Sequence, residues 1–512
     1  MGKQFLLWLF FLLSFFPHSL LSQSNDNNDN IITFGADARS GAPYCFADPN
    51  NPEIIKGFDV DIIHAVAEVM GKRAVFVQNS YEGLISGLGR NNYDVVIDGI
   101  VITPEHLAEV DFSTPYYVTS QTIVVPDNNK TINSLEDCRG KKVGTLTGSE
   151  AFMFLEKFGG LTVLSYEQEV SGYQDLLNGR IDAFIIDAPV AIYYVPTVKG
   201  LKIVGGAIDR LMYGIAVKKG NIVLRDELSA AIAIIKQNGK LRNILEKWKL
   251  WNKEMAELTE DRSPSNIEPT EYNSFVESMN RSISFQERID RYISFLPMFA
   301  KAAWTTIIVS VFSMIMAISL GLILAIIRIY TPFKFIAVAY IEIIRGTPLL
   351  VQLLLIFYGL PNIGIRLDPF IAGVIGLGLN YAAFEAENYR AGLLSVPRSQ
   401  YEAAKALGMT QWQALRHVIL PQSVRLVIPP VTNDFISLLK DSSLVSMITI
   451  VDLTQQYNLL ATTYYDYFGI GIQVALIYFI IGIPFVILSR WAERKIGSNG
   501  LRRKKYTLNL IR

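Results

Sequence analysis

The rhythm of apolar positions along this chain changes twice. Residues 5–16 (FLLWLFFLLSFF) form one unbroken apolar run behind Lys3, and the small residues Ser19, Ser22 and Ser24 follow it. A basic start, a short apolar core and small residues after it predict a secretory signal peptide over 1–24. The run is shorter than the ~20 residues a membrane-spanning helix needs. From 31 to about 250, short β-rich runs recur at 31–34, 74–77, 95–97, 122–125, 142–144, 183–186 and 214–217. Stretches with helical spacing separate them, among them 61–70, 81–88 and 224–238. Strands alternating with helices predict layered α/β lobes with largely parallel sheets. The pattern then fades into a polar, irregular segment holding Pro264 and Pro269, which predicts a linker over 253–290. Beyond it, long apolar runs at 298–327, 335–360, 369–384, 424–439 and 468–488 predict five membrane spans within 291–495.

Composition agrees with this division. Half of the 512 residues are hydrophobic and 18% are charged, which indicates a membrane component. Lys plus Arg equals Asp plus Glu, 47 against 47, and this excludes a global nucleic-acid footprint. The distribution is uneven: Arg490, Arg494, Lys495, Arg502, Arg503, Lys504 and Lys505 crowd the end, predicting a basic cytoplasmic tail over 496–512. Positive charge in short loops marks the cytoplasmic side. With a secreted first domain and five spans, the cytoplasmic segments are 328–334, 390–425 and everything after 490, and all three are rich in Arg and Lys. The expected outside loops, 361–368 and 441–467, hold almost none. Cys45 and Cys138 make no disulfide scaffold and read as isolated buried thiols, their pairing left open. No Cys/His spacing suggests a metal.

The most specific motif is EAAKALGMTQWQALRHVILP, residues 402–421. Residues 401–407 predict a short amphipathic helix that Gly408 breaks, and 411–418 a second helix stopped by Pro421. Two short helices at an angle make a rigid knob that suits a cleft in a cytoplasmic partner. The spacing of Glu402, Ala403, Ala404, Gly408 and Pro421 resembles the coupling loop by which ABC importer permeases engage their ATPase. IRGTPLLVQLLLIFYGLP (344–361) resembles the second span of the polar amino acid branch, the glutamine/histidine/arginine-type permeases. Tyr389-Arg390-Ala391-Gly392 with Ser395-Val396-Pro397, and LKDSSLVS (439–446), resemble that branch too. Asn433, Asp434, Lys440 and Asp441 lie in or beside the fourth apolar run, where polar groups are costly. They either line a substrate path or pair locally at the outer interface.

The soluble half resembles the periplasmic amino-acid-binding proteins over about 31–252. Gly57-Phe58-Asp59-Val60-Asp61 resembles the entry to the family's first helix, and Asp111-Phe112-Ser113 with Pro115-Tyr116 the approach to its inter-lobe crossover. The resemblance implies two α/β lobes joined by two strands and closing on a ligand, with crossovers near 120–126 and 213–218. It implies Asp187, in IDAFIIDAP, as the ammonium partner, with a helix-capping carboxylate as the other reading. Tyr44 and Tyr81 become aromatic walls, and Asp37 faces the side chain or ammonium. Gly99 lends backbone groups, and Gly148 with Ser149 binds from the second lobe. One position departs from the family. Where an Arg usually clamps the ligand carboxylate, Ile102-Thr103-Pro104-Glu105 is followed by His106, and Val101 replaces a hydroxyl donor. An imidazole cannot supply the fork of a guanidinium. Either His106 is protonated in the closed site or the ligand lacks a conventional α-carboxylate.

The expected fold class is therefore an α/β two-lobed binding domain fused to an all-α transmembrane ABC-importer permease. The expected function is capture and import of amino acids or related small polar nitrogen compounds. No G-x-x-x-x-G-K-[ST] loop occurs, so a cytoplasmic ABC ATPase partner uses the ATP and no cofactor is expected. A homodimer through the membrane domain, in a bacterial inner membrane with the lobes outside, completes the picture. The alternative is a ligand-gated channel or sensory receptor built on the same lobes; an enzyme is not expected.

Overall fold

The computed structural model describes residues 30–497, except 167, 265, 266, 282 and 283. The predicted signal peptide and the basic tail beyond 497 lie outside the described residues. The chain divides into one unit of residues 1–45 with 56–274 and another of 46–55 with 275–512.

In the first unit, β1 (Ile31–Ala36) lies alongside β4 (Arg73–Gln78); the small hairpin β2 (Phe46–Asp48) and β3 (Asn51–Lys56), which intervenes in sequence, is counted with the second unit through residue 55. β5 (Val95–Val96), β6 (Val110–Phe112) and β12 (Ala216–Lys218) complete a five-stranded sheet in the order β4-β1-β5-β12-β6. β1 pairs in parallel with both neighbours, and β12 runs antiparallel. Helices α1 (Phe58–Val69), α2 (Leu84–Gly89), α3 (Pro104–Glu109), α7 (Ile222–Gln237) and α8 (Lys240–Lys247) belong to this lobe. The second lobe is a sheet in the order β11-β7-β10-β8-β9, made of β7 (Tyr117–Pro126), β8 (Lys142–Leu146), β9 (Thr162–Tyr166), β10 (Ala183–Asp187) and β11 (Leu201–Tyr213). Its helices are α4 (Glu150–Phe158), α5 (Glu169–Leu177) and α6 (Ala188–Tyr194). Ile123, Val143, Leu155 and Ile185 form its buried core, with burial of their apolar area as the driving term.

The return crossover falls within the expected 213–218, but the outgoing one lies earlier than 120–126. β7 pairs from Tyr117↔Tyr213 to Leu201↔Pro126, so 120–126 is already second-lobe sheet. The chain leaves the first lobe between Phe112 and Tyr117 and returns between Tyr213 and Ala216. Ser113 N donates to Ile215 O at 2.9 Å and Tyr116 N to Tyr213 O at 3.0 Å, so the two passing segments hold each other. A hinge of ordinary paired backbone leaves no break in the apolar pattern, hence the misplacement.

The predicted irregular linker is helical: α9 (Lys253–Leu258), α10 (Thr270–Asn280) and α11 (Phe285–Ser294) occupy most of it. Asn252 caps α9 by accepting from Met255 N at 2.7 Å, and α11 begins with a Ser284–Glu287 capping box. Caps hold α9 and α11 and a single buried anchor holds each of α9 and α10, Met255 and Phe275, while α11 alone has an apolar stripe, Phe285, Ile289, Tyr292 and Ile293.

The second unit is helical: α12 (Leu296–Tyr330), α13 (Lys334–Gly346), α14 (Leu349–Leu354), α15 (Pro369–Leu394), α16 (Arg398–Ala406), α17 (Gln411–Ala414), α18 (Leu420–Asp441), α19 (Leu453–Tyr464) and α20 (Tyr467–Gly497). Among the described residues three helices, Phe285–Tyr330, Pro369–Leu394 and Tyr467–Ile487, are long and apolar enough to cross a membrane. The pair Lys334–Gly346 and Leu349–Gly359, bent by 106°, makes a fourth if it is one broken span. The fourth expected span, 424–439, is realised as α18, which carries Arg425, Asp434, Lys440 and Asp441 and is not among them. Among the described residues three helices, or four with the bent pair taken as one span, satisfy length and apolarity. Close helix contact is set by small residues: a Cβ on Gly321 of α12 would stand 2.6 Å from Glu385 Cβ on α15.

Candidate functional site

Asp187 ends β10 and occupies the N-cap position of α6, yet its side chain makes no capping hydrogen bond. Its Oδ2 instead accepts from Tyr213 Oη at 2.8 Å and Tyr44 Oη at 3.2 Å. The two phenols are themselves 2.8 Å apart. Tyr44 belongs to the first lobe and Tyr213 to the neck, so one second-lobe carboxylate is tied to both. Burial pushes the Asp187 carboxyl above its usual range, and the two phenolic donors pull it partly back.

Gly99 has φ +63°, and a Cβ there would lie 2.8 Å from the Tyr44 ring. Its N–H donates to Asp59 Oδ2 at 2.7 Å. Asp59 is fully buried, and burial raises its carboxyl to about 7 despite the Gly99 donor. Asp37 is buried too, but its carboxylate is occupied: Arg39 Nε donates to Oδ1 at 2.9 Å and Nη2 to Oδ2 at 2.7 Å. Gln78 Nε2 and the Tyr81 N–H add bonds of 2.8 and 3.0 Å. Tyr81 is 38% exposed.

His106 stands in the first turn of α3. Its N–H is capped by Thr103 Oγ1 at 3.1 Å, and Nδ1 lies 2.8 Å from Val101 O. A carbonyl only accepts, so Nδ1 carries the proton in this arrangement. From the second lobe, Gly148 has φ +69° and Ser149 caps α4, accepting from Phe152 N at 3.2 Å and donating to Leu146 O at 2.7 Å. The structure thus joins Asp187, Tyr44 and Gly99 in one contact group and Asp37 with Tyr81 in another, while His106 and Ser149 are each held by partners close in sequence. Tyr213, Arg39 and Glu150 were not picked out from sequence. An aromatic residue at the return crossover was the available signal for Tyr213; Glu150 had none beyond following Ser149.

In the helical unit, α16 and α17 flank Gly408, which takes φ +80°. Thr410 and Gln413 form a capping box at the start of α17. The expected stop at Pro421 does not occur. A π-helical turn over Leu415–Ile419 leads into α18, and Pro421 sits in its first turn, where a missing N–H costs nothing. Leu407 is 80% exposed and Trp412 54%. Glu402 and Ala403 are exposed and Ala404 is buried. Asp434 accepts from Asn388 Nδ2 at 2.7 Å and Asp441 from Tyr381 Oη at 2.6 Å, while Asn433 and Lys440 are exposed. Cys45 and Cys138 are free thiols and buried.

A paired-lobe fold with a carboxylate at its neck, on one chain with a polytopic helical unit, defines a solute-binding membrane transport component. Residues 32–250 match the family described as bacterial extracellular solute-binding proteins, family 3, and 317–498 match that described as binding-protein-dependent transport system inner membrane component. The probable glutamine ABC transporter permease protein GlnM of Bacillus subtilis (strain 168) is 38% identical over 201 residues, 39% of this chain and 93% of that protein. The L-cystine-binding protein TcyJ of Escherichia coli (strain K12) is 34% identical over 197 residues, 38% of this chain and 74% of that protein. The structure of an ancestral arginine-binding protein bound to glutamine is similar over 43% of this chain and 99% of that one, at 37% identity and a TM-score of 0.40. The chain belongs to the binding-protein-dependent inner-membrane permeases of ABC transporters, with a family 3 solute-binding domain fused ahead of the permease. It is a protein of the inner membrane.

Proposed function

We propose that the chain captures an amino acid or related small polar nitrogen compound between its lobes and imports it with energy from a separate ABC ATPase. The observation that carries this reading is the exposed loop of α16, Gly408 and α17, which presents Leu407 and Trp412 to solvent at the motif resembling an ATPase-coupling loop. Exposed large apolar residues on a rigid helical corner suit a docking surface. The permease relatives and the neck carboxylate Asp187 support an amino-acid-like solute. The simplest assembly is a homodimer through the helical unit with two ATPase subunits, since each chain supplies one permease unit. The chain itself then performs no catalysis and needs no cofactor.

Capture proceeds by closure of the lobes about the paired neck strands, and release by ATP-driven alternation of the helical unit. The test is reconstitution of the full chain in proteoliposomes with the ABC ATPase of its own genome. Solute-stimulated ATP hydrolysis and uptake are expected. Ion conductance opened by solute without any ATPase would overturn the reading in favour of a channel.

A further inference from the structure

Asp37 stands just past the end of β1, Gln78 ends β4 with Tyr81 soon after it, and Asp98 and Gly99 follow β5. β1 runs parallel to both neighbours, so these residues share the carboxyl edge of the first-lobe sheet. In open α/β sheets that edge is where small molecules bind. Segment 37–44 starts there, tied to the end of β5, because Asp98 Oδ2 accepts from Asp37 N at 2.9 Å and from Ser40 Oγ at 2.8 Å. It then reaches the second lobe at two points. Ala42 N donates to Tyr194 Oη of α6 at 2.8 Å, and Tyr44 Oη donates to Asp187 at the end of β10 at 3.2 Å. Direct contacts therefore place Arg39 in the segment that joins the two lobe edges.

The Asp37 carboxylate is saturated. Its Oδ1 accepts from Arg39 Nε at 2.9 Å, Arg39 N at 3.0 Å and Gln78 Nε2 at 2.8 Å. Its Oδ2 accepts from Arg39 Nη2 at 2.7 Å and Tyr81 N at 3.0 Å. A carboxylate offers about four lone-pair sites, so none is left for an ammonium or guanidinium of a solute. The Arg39 side chain is 21% exposed and that of Asp37 5%, so the guanidinium covers the acid. Arg39 is moreover a tethered competitor, two residues from the group it holds, and a short tether gives an effective concentration of order millimolar or above. A solute cation at micromolar levels does not displace it.

We propose, resting on the import reading above, that Arg39 sets the specificity of the cleft: it holds Asp37 so that a cationic side chain finds no partner there, and the cleft takes amino acids whose side chains carry no positive charge. Discrimination comes from denying the wrong solute its partner rather than from an added contact to the right one. The α-ammonium is left to Asp187, which receives only the phenols of Tyr213 and Tyr44 among the described residues.

The experiment is calorimetric titration of the full chain in lipid nanodiscs against the twenty proteinogenic amino acids. At least one with an uncharged or acidic side chain is expected to bind about tenfold or more tightly than arginine and lysine. Arg39→Met keeps most of the bulk and removes the charge, so arginine or lysine should gain about tenfold or more relative to that best solute. Adding Asp37→Asn to Arg39→Met should abolish the gain, which a merely structural role for Arg39 would not produce. If Arg39→Met melts too low to titrate, millimolar arginine should raise its melting temperature and leave that of the double variant unmoved. Arginine or lysine binding the unaltered chain as tightly as any other amino acid would overturn the assignment. So would Arg39→Met showing no gain for either cation, in affinity or in melting. Both results leave the import reading standing wherever the bound solute stimulates ATP hydrolysis. The expected preference without any stimulation of hydrolysis would strike the import reading alone, and silence from all twenty amino acids would strike both.

Discussion

Gly99 holds a left-handed backbone with the Tyr44 ring packed where a side chain would begin, so Gly99→Ala meets both strain and a clash. The substitution is expected to destabilise the binding unit by about 1–3 kcal/mol and to displace Tyr44 from Asp187. Chemical denaturation, with ligand affinity in parallel, checks both effects. Asp59 makes a pH-dependent prediction. Its carboxyl titrates near 7 when folded and in the ordinary acid range when unfolded. Between those values the unfolded state ionises while the folded state stays protonated, so stability falls as pH rises from about 4 to about 7 and levels off above. The melting temperature should therefore rise on acidification from pH 7.5 to pH 5, and Asp59→Asn should flatten that rise; an equal rise in the variant would refute the assignment. At this scale the sequence was legible where a motif framed a residue. Asp187 was singled out by its segment IDAFIIDAP, whereas its hydrogen bond from Tyr44 is visible in the structure alone. The commitments of Asp37 to Arg39 and of His106 to Val101 were not legible, because a short-range hydrogen bond leaves no mark on residue spacing.

Helices and strands were read best where one face is apolar and the segment long. Every expected strand run overlaps an observed strand, whereas the short α9 to α11 vanished into a linker because each is only 6 to 11 residues long and polar residues and prolines separate them. Pro421 misled for a related reason: proline stops a helix only when it needs an N–H it lacks, and the preceding π-helical turn places it where none is needed. The corner at Gly408 supports a prediction of its own. Gly408→Val forces a β-branched residue into φ +80° and should re-aim α17. Solute-stimulated ATP hydrolysis is expected to fall by about tenfold or more, with solute affinity unchanged. A variant that couples normally would show that the angle between α16 and α17 is immaterial.

The whole chain couples two units of different solvent character, and the change of apolar rhythm near residue 290 announced that division clearly. How many helices cross was less clear, since α18 trades apolar length for Arg425, Asp434, Lys440 and Asp441. One binding unit per chain predicts one solute site per protomer, which equilibrium titration of purified chain checks directly; half-occupancy at saturation would contradict it. The covalent helical connection over α9 to α11 has a kinetic corollary. A receptor that diffuses freely must find its permease, and delivery then depends on how many receptors the cell secretes. Here the encounter is intramolecular, at an effective concentration of order millimolar for a short tether. Delivery is thus a first-order step, insensitive to dilution of the compartment, and the ratio of receptor to pore is written into the gene.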